Sequence, residues 1–236
     1  MRAGDAAVEV LAQAGVKRFY TVPGESFLEV LDAVEYRADL TLVSTRHESG
    51  ASFMAEADTK LTGLPAVAMA TRGVGASNLA IGVHTARQDS TPMVVLLGQV
   101  ETPFIGREAF QEVILPDFYR EITKWAATVH NPERLPEMIE KALHIATSGR
   151  PGPVMLALPA DILGVDVDSP PPSGEASPPR PRPSDLEVRD VLAKLSAARR
   201  PVAIVGELAR GEEGRLVAFA ERFGVGVYAA FRRQDR

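Results

Sequence analysis

Apolar residues recur along this chain at two spacings that take turns from the N-terminus onward. Ala6, Val10, Leu11 and Ala14 keep a helical period and predict a first helix ending near Gly15; residues 18–22 then form a short strand closed by Pro23-Gly24. A second helix opens at Glu25 or Ser26 and carries Phe27, Val30, Leu31 and Val34. Residues 40–43 read as a short buried strand. Behind it, Glu48 opens a helix with Ala51, Met54, Ala55 and Leu61 or Thr62 on its apolar stripe, stopped by Gly63 with Pro65 following. Residues 66–70 predict a third strand, Thr71-Arg72-Gly73-Val74-Gly75 a turn, and Leu79, Ile81, Val83 and Ala86 the next helix. A fourth strand covers residues 93–97. The period weakens from Gly98 to Trp125, a loop-rich stretch with Phe104, Phe110-Gln111-Glu112, Pro116 and Phe118. It resumes with a strand around residues 124–129, a helix opened by Asn131-Pro132-Glu133, and a strand at 154–158 after Gly149-Arg150-Pro151-Gly152-Pro153.

The strands are solid apolar runs, and short turns join them to the helices. That pattern predicts an α/β fold, a doubly wound and mainly parallel sheet with helices on both faces, over residues 1–165. Residues 169–184 hold seven prolines, so residues 166–184 read as a proline-rich linker, extended in the polyproline II manner. Helical spacing at Val188, Val191, Leu192 and Leu195, a strand at 202–205, a helix with Leu216, Phe219, Ala220 and Phe223 and a strand at 225–228 begin a second, partial α/β domain over residues 185–236. Some fifty residues sit near the lower limit for an independent domain. The end of the chain is therefore expected to be a truncation, or a partial domain completed by something else.

Composition narrows the field mostly by exclusion. The chain has 236 residues, 45% of them hydrophobic and 24% charged, as in an ordinary globular protein. A net charge of −5 supplies no basic footprint for nucleic acid. With no cysteine there is no disulfide or thiolate chemistry, which fits a reducing cytoplasm. Met1-Arg2-Ala3-Gly4-Asp5 leads into an amphipathic helix and not into a signal peptide, and residues 93–97 are too few to span a bilayer. A cytoplasmic protein with no membrane segment is expected.

Several sequence signals for chemistry are weak. Gly73-x-Gly75-x-x-Asn78 lies between a strand and a helix, like a dinucleotide fingerprint, but it follows the third strand and Asn78 stands in place of the last glycine. His47, His84, His130 and His144 lack the spacing of a helical zinc site, so no metal site is predicted in this chain. There is neither a Gly-x-Ser-x-Gly elbow nor a Walker A loop. What remains is a series of turns after successive strands: Val22-Pro23-Gly24, Arg46-His47-Glu48, Thr71 to Gly75, and Gly98-Gln99. In a parallel sheet these share the carboxyl edge, where open α/β folds bind ligands. Glu48 is then either an acid favoured by the helix dipole or a half-buried carboxylate suited to sharing a proton.

Val22-Pro23-Gly24-Glu25-Ser26, Arg46-His47-Glu48 with Met54-Ala55-Glu56-Ala57, Thr71-Arg72-Gly73-x-Gly75-Ala76-x-Asn78, Gln88-Asp89-Ser90-Thr91-Pro92-Met93, Gly98-Gln99-Val100 and Ala109-Phe110-Gln111-Glu112 stand in this order along the chain. Taken together, they resemble the pyrimidine-binding domain of thiamine-diphosphate enzymes of the acetolactate synthase type. Gly149 to Val154 and Leu158-Pro159-x-Asp161 are similar to the end of that domain. The resemblance implies that Glu48 bonds N1′ of the cofactor's aminopyrimidine, favouring the imino form whose 4′-nitrogen removes the thiazolium C2 proton before attack on a 2-oxo acid. It further implies that Pro23, Gly24, Gly73 and Asn78 shape the cofactor pocket, and that Phe110 and Gln111 approach the reacting centre, Gln111 as a catalytic group. Arg72 sits in a loop within reach of the cleft and is a candidate for selecting an anionic substrate.

Three departures accompany the resemblance. Asp58-Thr59 stands where the family usually has Tyr-Gly, Val74 stands where proline is common, and the Gly-Asp-Gly motif of the diphosphate domain does not occur. The family holds the diphosphate and Mg²⁺ in that separate domain, so the chain alone is expected to be inactive and to need it from a longer chain or a partner, within a homodimer or homotetramer. FAD binding stays open, since Gly206-Glu207-Leu208 is not a glycine-rich loop. Two other functions remain as alternatives: a non-catalytic assembly or regulatory module of the same fold, and a dinucleotide-binding domain.

Overall fold

The alternation of helix and strand holds through the first 168 residues. The computed structural model describes residues 1–168, 181–206 and 211–232, in two units that divide near residue 180. In the first unit α1 (Ala3–Gln13), β1 (Arg18–Thr21), α2 (Leu28–Glu35), β2 (Thr41–Ser44), α3 (Glu48–Thr62), β3 (Ala66–Thr71) and α4 (Arg72–Asp89) follow one another. Then come β4 (Met93–Gln99), α5 (Leu115–Tyr119), β5 (Ala126–Thr128), α6 (Leu135–Thr147), β6 (Pro153–Pro159) and α7 (Ala160–Leu163). Both α2 and α6 are entered through single 3-10 turns, Glu25–Phe27 and Pro132–Arg134, the latter capped where Glu133 N donates to Asn131 Oδ1 at 3.0 Å.

The six strands lie in the order β2-β1-β3-β4-β6-β5, and every neighbouring pair is parallel. All carboxyl ends therefore share one edge. The chain leaves β1 toward β2 on one side and returns to β3 on the other, so the loops leaving β1 and β3 diverge and open a crevice.

Period-2 alternation is hidden inside the apolar runs because both faces of the sheet are covered. Phe19, Val67, Met69, Val94, Leu96, Val154 and Leu156 pack with α1, α2 and α6, while Tyr20, Ala66, Ala68, Ala70, Val95, Leu97, Met155 and Ala157 pack with α3, α4 and α5. The second face is lined by alanines on β3, and it brings the helices close. A Cβ added to Gly82 of α4 would stand 2.6 Å from the Cβ of Ser52 on α3, so only glycine allows this crossing.

The structure corrects several sequence expectations. On α3 the buried residues are Glu48, Ala51, Ser52, Ala55, Glu56 and Thr59, whereas Met54, Leu61 and Thr62 face outward; on α4, Ile81 is exposed. The apolar stripe misled because the inner face of α3 is partly polar and satisfied. Glu56 accepts from Thr91 Oγ1 at 3.1 Å and pairs with Lys60 at 2.5 Å, while Thr59 Oγ1 donates to Pro92 O at 3.2 Å. β2, expected to be buried, is an edge strand that is at most half-buried and pairs only with β1. Thr71 to Gly75 is no turn, since α4 begins at Arg72 directly after β3. Asp58 has a partner: Arg18 Nη1 donates to its Oδ1 at 2.8 Å.

The second unit consists of α8 (Asp185–Ala197), β7 (Val202–Val205), α9 (Glu213–Phe223) and β8 (Gly226–Ala229), with β7 parallel to β8. Ser184 and Glu187 cap α8 reciprocally. Val188, Val191, Ile204 and Tyr228 are exposed. Most of the expected linker, residues 169–180, together with Glu207-Leu208, lies outside the described residues. Among the described residues no helix is long and apolar enough to cross a membrane.

Replacing Gly82 by alanine forces the new Cβ into Ser52 and is expected to destabilise the first unit by about 1–3 kcal/mol, the usual range for overpacking. Chemical denaturation of the two forms checks this. A midpoint unchanged by Gly82→Ala would contradict the close helix crossing.

Candidate active site

Local hydrogen bonds fix where α3 begins. Thr45 N donates to Thr21 O at 2.8 Å, extending the β1–β2 pairing by a residue, and Thr45 Oγ1 donates to His47 O at 2.9 Å. The His47 ring caps the helix by accepting from Ser49 N at 3.2 Å. Glu48 is therefore the first helical residue, at the carboxyl edge and at the positive end of the helix dipole.

The Glu48 side chain turns onto α4 and is only 9% exposed. Asn78 Nδ2 donates to its Oε2 at 2.9 Å. On the other side, a Cβ at Gly75 would lie 3.0 Å from Ala70 Cβ and 3.4 Å from Glu48 Oε1, so the glycine leaves room for the carboxylate beside β3. Such a carboxylate is oriented and largely shielded from water, yet it carries one side-chain hydrogen bond where its oxygens accept about four.

The start of α4 gathers the other candidates. Gly73 N donates to Gln111 O at 2.9 Å, and a Cβ at residue 73 would meet that oxygen and Val113 Cγ1, each at 2.9 Å. Gln99 Nε2 donates to Val113 O at 2.9 Å, so the loop after β4 is held at both β4 and α4. The buried Tyr119 hydroxyl donates to Ala76 O at 2.7 Å, and burial raises its pKa well above the ordinary phenol range. Arg72 reaches Glu25 Oε1 at 3.1 Å, with its Cζ 5.9 Å from the centre of the Phe110 ring.

The β1 loop crosses the ends of β3 and β4. Ser26 Oγ and Thr71 Oγ1 are 2.5 Å apart, and a Cβ on Gly24 would fall 2.7 Å from Thr71 Cβ. Thus Glu48 and Asn78 are bonded, Gly73 and Gln111 are joined through the backbone, Arg72 and Phe110 stack, and Gly24 lies against Thr71, all around the first two turns of α4. Pro23 is exposed next to Gly24. Gly24 and Gly73 both permit close approach of one chain segment to another.

Glu25 and Glu112 belong to the motifs quoted above, but sequence reasoning assigned neither a role at the site. Glu112 folds the loop back on itself, accepting from Gly106 N at 2.5 Å and Ala109 N at 3.0 Å. Those backbone donors hold its carboxyl below the usual carboxylate range. The positive φ of Gly106 and Glu108 marks such a nest of N–H groups, and the only sequence cue was an acid six residues after a glycine.

Similarity to known proteins agrees with this architecture. Residues 1–119 match the family model described as "Thiamine pyrophosphate enzyme, N-terminal TPP binding domain". The chain belongs to this thiamine pyrophosphate enzyme family. It is 37% identical over 217 residues to the acetolactate synthase isozyme 1 large subunit of Escherichia coli, a match covering 91% of this chain and 38% of that protein. The probable acetolactate synthase large subunit of Methanocaldococcus jannaschii is 35% identical over 87% of the chain and 36% of its own length. For the chloroplastic acetolactate synthase of Arabidopsis thaliana the identity is 34%, over 96% of the chain and 34% of that protein. The chain spans about a third of the length of the curated relatives it matches.

Because Glu112 is acidified by the loop, its contribution to loop order is complete near neutral pH and is lost as pH falls through its lowered pKa. The Gly106 and Ala109 amide resonances are expected to titrate together, with a midpoint below that of an ordinary glutamate. Glu112→Gln should abolish the titration. Independent midpoints for the two amides would contradict the shared carboxylate.

Proposed function

We propose that residues 1–165 form the pyrimidine-binding, cofactor-activating domain of a thiamine-diphosphate-dependent carboligase or decarboxylase acting on a 2-oxo acid, and that residues 185–236 begin its central domain. The observation that carries this reading is Glu48, a nearly buried carboxylate at a sheet switch point, held by Asn78 and resting beside Gly75. An aminopyrimidine suits that carboxylate, because its ring nitrogen offers or accepts a proton where Glu48 retains spare acceptor capacity.

Thiamine diphosphate, when bound, supplies the nucleophilic carbon for attack on the 2-oxo acid carbonyl. Glu48 holds or returns the proton at the pyrimidine N1′ position. Asn78 fixes the carboxylate plane, and Gly75 lets α4 lie close enough for that bond. Gln111, whose backbone is held to Gly73 at the start of the same helix, is the catalytic amide toward the substrate in this reading; Pro23 and Gly24 border the pocket.

Phe53 and Met54 on α3 and Val74 and Ile81 on α4 are exposed large apolar side chains on the two helices that carry the site. They support a site closed by another surface, within a homodimer or homotetramer whose diphosphate-binding domain also holds Mg²⁺. The Arg18–Asp58 pair weakens the case for a non-catalytic module, since Asp58 is no orphan in a degraded fold. FAD is not assigned.

In the enzyme assembled with its diphosphate domain, Glu48→Gln is expected to lower turnover of a 2-oxo acid by about 100-fold or more, the scale of a lost acid–base group. Steady-state kinetics checks it. Near-normal turnover would contradict the role given to Glu48.

A further inference from the structure

Arg72 is held in a way that packing alone does not explain. Its φ is +44°, in the left-handed region that strains a side chain. The residue is 8% exposed, and Arg72 Nε is a buried nitrogen with no hydrogen-bond partner, the one such side-chain atom among the described residues. Buried guanidinium groups normally have their donors satisfied. The ion pair it does make runs from Nη1 to a single oxygen of Glu25, which is 70% exposed and solvated. Phe110, equally exposed, lies over the same group.

The position is as telling as the imbalance. Glu25 belongs to the loop after β1 and Phe110 to the loop after β4, and Arg72 begins the helix whose next two turns touch Glu48. The guanidinium is therefore over the carboxyl edge of the sheet. A guanidinium presents a rigid fork of donors that matches two oxygens of one carboxylate, and here Nε is left over from the pairing with Glu25. A strained, underbonded residue at a ligand edge is what a recognition group costs the fold.

We propose that Arg72 is the anion-recognition residue of this cleft and takes the carboxylate of the 2-oxo acid through Nε and Nη2, the edge away from the Nη1 that Glu25 holds. Glu25 is a competing counter-ion that shields the charge while no substrate is bound. Phe110 closes over the guanidinium and is displaced as the anion enters. The identity of the anion as substrate rests on the function proposed above; the anion site does not.

The test needs neither cofactor nor turnover. In the 236-residue chain, the Arg72 Nε–H resonance is followed by NMR while oxalate, an unreactive mimic of a 2-oxo carboxylate, is added, with inorganic phosphate in a parallel titration. The expected results are a saturable shift with oxalate, affinity at least threefold tighter in Glu25→Gln, and affinity at least tenfold weaker in Arg72→Lys, which keeps the charge and loses the fork. Glu25 is exposed, so Glu25→Gln leaves the fold intact and keeps the proposal testable if Arg72→Lys does not fold. No saturable shift, an affinity unchanged or weakened by Glu25→Gln, or tighter binding of phosphate than of oxalate would overturn it. Failure here leaves the Glu48 reading standing, and normal turnover of Glu48→Gln would leave this titration untouched.

Discussion

One hydrogen bond, from Asn78 Nδ2 to Glu48 Oε2, makes the candidate site depend on how tightly two helices pack. Glu48 starts α3 and Asn78 lies in the second turn of α4, so the bond exists only while these helices keep their close crossing. That crossing is built from small residues: Ala66, Ala68 and Ala70 on the strand beneath, Gly75 beside the carboxylate, Gly82 against Ser52. Each of these could have been larger in a core selected for burial alone. Their smallness gives up apolar contact and gains position, because a hydrogen bond tolerates only a few tenths of an ångström.

Much of this was legible in the sequence, for identifiable reasons. Solid apolar runs such as residues 66–70 and 93–97 announced strands covered on both faces, and the all-parallel order follows from helices intervening between them. Glu48 stood out because it sits where a strand meets a helix, and Asn78 because it broke a glycine pattern. What stayed hidden was tertiary. The inner face of α3 could not be chosen from spacing, since Glu56 and Thr59 are buried only by virtue of Lys60, Thr91 and Pro92. The Gly73-Val74-Gly75 segment reads as a loop by composition and is helical because β3 runs straight into α4. Glu25 and Glu112 gained meaning only when the loops after β1 and β4 were seen to meet α4.

Strain is not spread evenly over the molecule. Of the five described non-glycine residues with positive φ, Arg72, Glu108 and Gln111 lie on the start of α4 or the loop folded over it, while Ser90 caps the far end of α4 and Arg232 belongs to the second unit. The body of the sheet carries no comparable feature, and its polar interior is paired. The three strained residues at the start of α4 adjoin the scaffold that fixes Glu48, at the rim where the proposed substrate would enter. Family membership accounts for the scaffold; in the proposals made above, the rim with Arg72 meets the substrate.

In the proposed role, Glu48 acts through one ring nitrogen of the cofactor. The most direct test compares turnover of the assembled enzyme with thiamine diphosphate and with an analogue bearing CH in place of the pyrimidine N1′, in both the wild-type and Glu48→Gln forms. If carboxylate and nitrogen work as a pair, either change alone removes nearly the whole effect and combining them removes little more. Losses that simply multiply would contradict the pairing and leave Glu48 as an ordinary helix-start acid.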